Sequence, residues 1–235
     1  MSAGIWFCVD ILVRRPLHEA LLRNKNKFCL TLIRRKYLPK RNFIQVQLLI
    51  SFFLKAGFSN QQAEEIASGF IYKEYSKGEF FAEEGKTGKY LGFIEKGFFQ
   101  YFINLDGEEK TTYSIGSNNL IASLVSFLKE VPARENIRAV IASSAWIINK
   151  IDFKKLQQSM PAFKDYYIGV LEWQVCCIEE SRIDGIMLSA GQRYEKMMYK
   201  EPEMIRQIPS QYLASIIGVT PRHLSRIRNS FRLAN

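Results

Sequence analysis

Histidine is almost missing from this sequence: His18 and His223 are the only two among 235 residues. That scarcity excludes a site with several imidazole ligands, and with it most catalytic zinc centres. Cysteine is scarce too. Cys8, Cys29, Cys176 and Cys177 show no C-x-x-C or mixed Cys/His spacing, so no zinc-finger motif is present. Cys176 and Cys177 are adjacent in a stretch of helical period, and a disulfide framework is not expected, which suits a reducing cytoplasm. No apolar run reaches the ~18–20 residues of a membrane span. Residues 3–13 are apolar, but Asp10 interrupts them and no basic residue precedes them, so they make a poor signal peptide. No membrane partner is expected, and the expected location is the cytoplasm.

Acidic residues are unevenly missing, and that matters more than the formal net charge of +10. Residues 1–42 hold ten Lys and Arg against Asp10 and Glu19, a net +8 that leaves only +2 for the rest. This segment is expected to be an extension, either disordered or lying upstream of the true start. A basic arm of this kind adds non-specific attraction to nucleic acid. Residues 206–235 contain Arg206, Arg222, Arg226, Arg228 and Arg232 and no acid at all. A local +5 in thirty residues is the sharper footprint, because phosphate attraction depends on where the charge sits.

From Phe43 the chain becomes patterned. Residues 43–55 and 59–71 read as two helices, with Gly57 closing the first and Ser59 capping the second. Between Tyr72 and Ile151 short β-like runs alternate with glycine turns. They cover Tyr90–Ile94, Phe98–Asn104, Lys110–Ile115, Ile137–Ala142 and Trp146–Ile151. Asp106-Gly107 between two runs predicts a hairpin, because a type I′ turn needs positive φ at both central residues. Strands at this spacing predict a sandwich or barrel. No histidine falls between 72 and 151, so a metal-dependent jelly-roll enzyme of cupin type is not expected. After Pro161 the apolar residues Ile168, Leu171, Val175 and Ile178 recur at spacings of three and four, with Ile186 beyond Arg182. A helix of about 25 residues spans roughly 37 Å, more than one small barrel covers, so this stripe reads as a dimer seam.

The last 25 residues carry the strongest motif. Counting from Ser210, a twenty-residue helix-turn-helix needs apolar or small residues at fixed places. Leu213, Ala214, Ile217, Gly218, Val219, Leu224 and Ile227 occupy them. Ala214 is small where two helices cross, and Gly218 allows a left-handed turn. Thr220 caps the second helix and Pro221 suits its first position. On its outer face Arg222, Arg226 and Asn229 follow at i, i+4 and i+7. Arginine forks near the start of such a helix are what guanine readout in the major groove requires.

The order of barrel, long helix and C-terminal helix-turn-helix resembles the Crp/Fnr (catabolite-activator) superfamily of transcription regulators. Residues 75–102 (YSKGEFFAEEGKTGKYLGFIEKGFFQYF) are similar to the opening strands of a cyclic-nucleotide-binding barrel, and 208–228 (IPSQYLASIIGVTPRHLSRIR) to its DNA-binding helices. The resemblance implies an α+β chain of four parts: the extension 1–42, a jelly-roll barrel 43–160, a dimerisation helix 161–188 and a DNA-binding unit 189–235. It implies a homodimer, double-stranded DNA as partner, and RNA polymerase and a small-molecule effector as further partners. Arg222, His223 and Arg226 would face base edges, with Thr220 and Ser225 nearer the backbone. The sequence departs from the family in its nucleotide cassette. Ala122-Ser123 stands where a Gly-Glu pair is expected for the ribose, and Ala133-Arg134 where an Arg-Ser pair is expected for the phosphate. Ser123 and Arg134 are the residual effector candidates, and Glu135 beside them would repel a phosphate. Cyclic AMP is therefore not the expected cofactor, and the effector is left unassigned. The competing reading is a small-molecule-binding regulatory module whose C-terminal helices contact protein and not DNA.

Overall fold

A computed structural model describes residues 42–200 and 202–233. Of the expected extension 1–42, residues 1–41 lie outside the described residues and Asn42 opens the first helix. Helices α1 (Asn42–Lys55) and α2 (Asn60–Ser68) come first. Ser59 caps α2 reciprocally: its hydroxyl accepts from the Gln62 amide while the Gln62 side chain accepts from the Ser59 amide. This is the capping box, which satisfies two otherwise orphaned amides. The helix ends at Ser68, three residues before the sequence-based expectation, because Gly69 closes it and Ile71 opens the first strand.

Eight strands follow: β1 (Ile71–Tyr75), β2 (Phe80–Ala82), β3 (Tyr90–Lys96), β4 (Phe98–Leu105), β5 (Glu108–Gly116), β6 (Leu120–Ile121), β7 (Asn136–Ala139) and β8 (Ser143–Asn149). A short helix α3 (Leu124–Lys129) lies between β6 and β7. The strands form two four-stranded antiparallel sheets, ordered β1-β8-β3-β6 and β2-β7-β4-β5. The expected hairpin forms with Leu105 opposite Glu108, and Asp106 and Gly107 both have positive φ, 53° and 80°. Two expected runs end early. β7 stops at Ala139 before a bend, and β8 stops at Asn149, whose side chain accepts from the Asp152 amide and starts a helix.

Strand β8 shows why both faces of its sheet are apolar. Side chains alternate across a strand. Ala145 and Ile147 enter a core between the sheets to which all eight strands contribute, including Tyr75, Ile94, Phe99, Tyr101 and Ile137. Trp146 and Ile148 face the other way, into a helical layer with Leu49, Phe53, Ile66, Phe127, Phe153 and Phe163. Gly97, between β3 and β4, is obligatory: a Cβ there would lie 2.1 Å from the Ser143 hydroxyl.

Helix α4 (Lys150–Ser159) leads into α5 (Pro161–Met187), 27 residues long. Phe163, Tyr167, Cys177 and Ser181 are its buried side. Its opposite stripe is bare, with Ile168 42%, Val175 60% and Ile186 76% exposed. Leu171 packs in part on the helical layer, so it belongs less to the free stripe than spacing suggested. The chain ends in α6 (Ala190–Lys200), α7 (Pro202–Gln207), α8 (Ser210–Ile217) and α9 (Pro221–Leu233).

Candidate nucleic-acid interface and barrel cassette

Helices α8 and α9 are built around one small core. Leu213, Ala214, Ile217, Leu224 and Ile227 are all buried in it, with Val219 and Phe231 packed at its margin. Gly218 adopts the left-handed conformation at φ 77° and its amide closes α8. The Thr220 hydroxyl then accepts from the His223 amide, a cap that starts α9. Burying Leu224 and Ile227 fixes the rotation of α9. Thr220, Arg222, His223, Ser225, Arg226 and Asn229 are consequently all exposed. Thr220, Arg222, His223, Arg226 and Ser230 line an open groove of about 520 Å³. Arg228 behaves differently: it donates to the Ser210 hydroxyl at 2.7 Å and its guanidinium lies 6.0 Å from the Tyr194 ring. Helical spacing sets it apart from Arg222, Arg226 and Asn229, and the packing shows what holds it.

The helix pair is mounted on the barrel. The Thr111 amide in β5 donates to the Ser215 hydroxyl of α8 at 2.9 Å, and that hydroxyl donates back to the Thr111 carbonyl at 3.3 Å. Phe98, Tyr113 and Val140 from the barrel pack into the core of the helix pair. Nearby, Arg138 makes a two-pronged pair with Glu109 at 2.9 and 2.6 Å, bonds Gln100 at 3.0 Å and stacks over Phe102. Glu109 holds this guanidinium firmly protonated, with the Tyr212 hydroxyl of α8 beside it. Arg193 of α6 donates to the carbonyls of Leu188 and Ile217 at 2.6 and 2.7 Å. Apart from the local bond to Leu188, these contacts join residues 24 to 104 positions apart and leave no local signal in the sequence.

The cassette around α3 is tied by its own atoms. The Tyr101 hydroxyl is 3.3 Å from both the amide and the carbonyl of Ala122. Ser126 accepts from the Gly88 amide at 2.7 Å and donates to the Val131 carbonyl. Lys150 caps the far end of α3 through the carbonyls of Phe127 and Leu128. The Asn136 side chain accepts from the Glu84 amide at 3.0 Å. Ser123 is buried and donates to the Glu135 carboxyl, whose pKa is raised because burial outweighs that bond. Arg134 is exposed. Of the two effector candidates, Ser123 thus faces inward and Arg134 outward, with Glu135 between them turned toward Ser123 and Tyr101. Tyr101 escaped the sequence reading, since nothing marks one tyrosine in a strand as a cassette residue.

Residues 72–160 match the sequence model of the cyclic nucleotide-binding domain family. No curated protein matches the chain. Among solved structures, the regulator CLP of Xanthomonas campestris, described as c-di-GMP responsive, superposes with a TM-score of 0.60 at 12% identity, covering 75% of this chain and 93% of that one. A CooA mutant from Carboxydothermus hydrogenoformans gives 0.58 at 14%, covering 79% and 84%. FixK2 from Bradyrhizobium japonicum gives 0.56 at 14%, covering 70% and 85%. The chain shares the fold of these three structures. At these identities the likeness bears on fold alone. In this barrel the ionisable group beside Ser123 is the Glu135 carboxyl, and Arg134 is exposed. Among the described residues no cluster of His, Cys, Asp and Glu could hold a metal ion, and no helix is long and apolar enough to cross a membrane.

Proposed function

We propose that the chain is a homodimeric, cytoplasmic transcription regulator that lays α9 in the major groove of double-stranded DNA, and that it is not an enzyme. One observation carries this reading. The outer face of α9 presents Arg222, His223, Arg226 and Asn229 to solvent, and no acidic residue occurs from 206 onward. Arg222 and Arg226 make no side-chain bond among the described residues, whereas Arg228 is held by Ser210. Two free arginine forks one helical turn apart suit guanine edges, and Thr220 and Ser225 beside them suit phosphate and sugar. The bare stripe of α5 supplies the second half of the reading. A two-fold pair of α5 helices would bury Ile168, Val175 and Ile186 against their copies and present two recognition helices to two half-sites. RNA polymerase is the partner such a bound dimer would serve.

Selection of bound DNA from a random pool tests the proposal. A two-fold symmetric sequence should emerge. Affinity should fall steeply with salt, log K changing by about −0.9 per phosphate neutralised for each unit of log salt. A pool without consensus and an interaction indifferent to salt would favour protein contacts by the same helices.

A further inference from the structure

Several polar groups of the cassette are already engaged by other parts of the chain. The Ala122 amide and carbonyl sit on the Tyr101 hydroxyl. The Ser123 hydroxyl serves Glu135, and the Ser126 hydroxyl bridges the Gly88 amide and the Val131 carbonyl. These ties come from β4, from the loop before β7 and from the loop before β3, so they close on α3 from three sides. The Tyr101 ring stacks edge-on against Tyr113 at 5.2 Å. Phe99 is wedged between Tyr75 and Phe81. The polar side of the cradle is no more hospitable. A phosphate needs paired donors and positive charge, and the group turned inward is Glu135 while Arg134 is exposed.

We propose that Tyr101 and Glu135 act as a built-in occupant of the cassette, so that the barrel takes no cyclic nucleotide and the DNA-binding state is set without one. Tyr101 holds the backbone of Ala122, and Glu135, two residues after the place where the family's phosphate-binding arginine would stand, turns its carboxyl toward Ser123. Carboxylate and phosphate together would place like charges in a poorly solvated site. The regulator's output is then governed by its abundance, or by signals arriving outside the cassette. This second clause rests on the DNA-binding reading above; the first does not.

Calorimetry on the full dimer with cyclic AMP, cyclic GMP and cyclic di-GMP is the direct test. No heat of binding and no thermal shift are expected up to millimolar nucleotide, and micromolar binding of any of the three overturns the proposal. Selected DNA should bind equally well with and without nucleotide, and a tenfold change also overturns it. Failure to select any DNA leaves the calorimetric result standing and refutes only the DNA reading. The Tyr101 tie is tested separately by hydrogen exchange in Tyr101→Phe, which keeps the ring and removes the hydroxyl. The Ala122 amide should exchange about fivefold faster or more, the loss expected for one net hydrogen bond. Unchanged exchange there shows that Tyr101 does not hold the cassette.

Discussion

The cassette at α3 and the helix pair α8–α9 treat their polar side chains in opposite ways. Around α3, Tyr101, Ser123, Ser126 and Asn136 turn inward and bond neighbouring parts of the chain. Along α9, Arg222, His223, Arg226 and Asn229 turn outward and are exposed. Both regions have a firm apolar floor, Phe127 beneath the first and Leu213, Leu224 and Ile227 beneath the second. Equal packing therefore coexists with unequal availability. Polar groups already satisfied within the chain have little to gain from a ligand, whereas solvated arginines release counterions on meeting phosphate.

The comparison can be broken hardest through the geometry that doubles α9. Val175→Glu with Ile186→Glu places carboxylates on the bare stripe of α5, away from its buried side. Light scattering should then report a folded monomer, and affinity for a symmetric site should fall about a thousandfold or more, toward non-specific binding. A dimer that survives both changes would remove α5 as the seam. Next in size are the contacts themselves. Arg222→Ala and Arg226→Ala should each cost about 1–3 kcal/mol of discrimination at their own base pairs with the melting temperature unchanged. Arg228→Ala should do the reverse, loosening the Ser210 contact while sparing sequence preference. If all three behave alike in a selection assay, the packing-based distinction between them is wrong.

Smaller effects sharpen the other side. Ser215→Ala removes the hydroxyl that meets Thr111 and should destabilise the protein by about 1 kcal/mol, a shift of about 2–4 °C in melting. Glu135→Gln should act through pH. The folded protein holds the Glu135 proton more tightly than the unfolded chain does, because burial raises its pKa. Stability from this group is therefore full below the ordinary carboxylate range and is lost as pH rises through the raised value. The glutamine variant should melt like the parent in acid and a little higher at neutral pH. A gain in acid alone would reverse the assignment.

Legibility in the sequence followed the range of the interactions. The Ser59 cap, the Asp106-Gly107 turn and the Gly218 turn each depend on a few adjacent residues, and spacing foretold all three. The outer face of α9 was readable for the same reason, since one helix contains both its buried and its exposed stripes. Strands β1, β2 and β6 and helix α3 went unnoticed because each is six residues or shorter and draws its stability from partners elsewhere. Tyr101, Arg138 and Ser215 matter through partners 21 to 104 positions away. No periodicity encodes such a pair.

Strand β5 is the last strand of its sheet, after β2, β7 and β4. A terminal strand presents bare amides and carbonyls that invite pairing with another chain. At Thr111 the Ser215 hydroxyl meets both of these groups, doing with one side-chain atom what a ninth strand would have done with its backbone. Helix α8 is thus also a cover for the sheet. Any excursion that swings α8 away uncovers a sticky edge, so mobility of the C-terminal helix pair and colloidal stability of the whole protein are opposed. Loosening that joint would come with a tendency to assemble edge to edge.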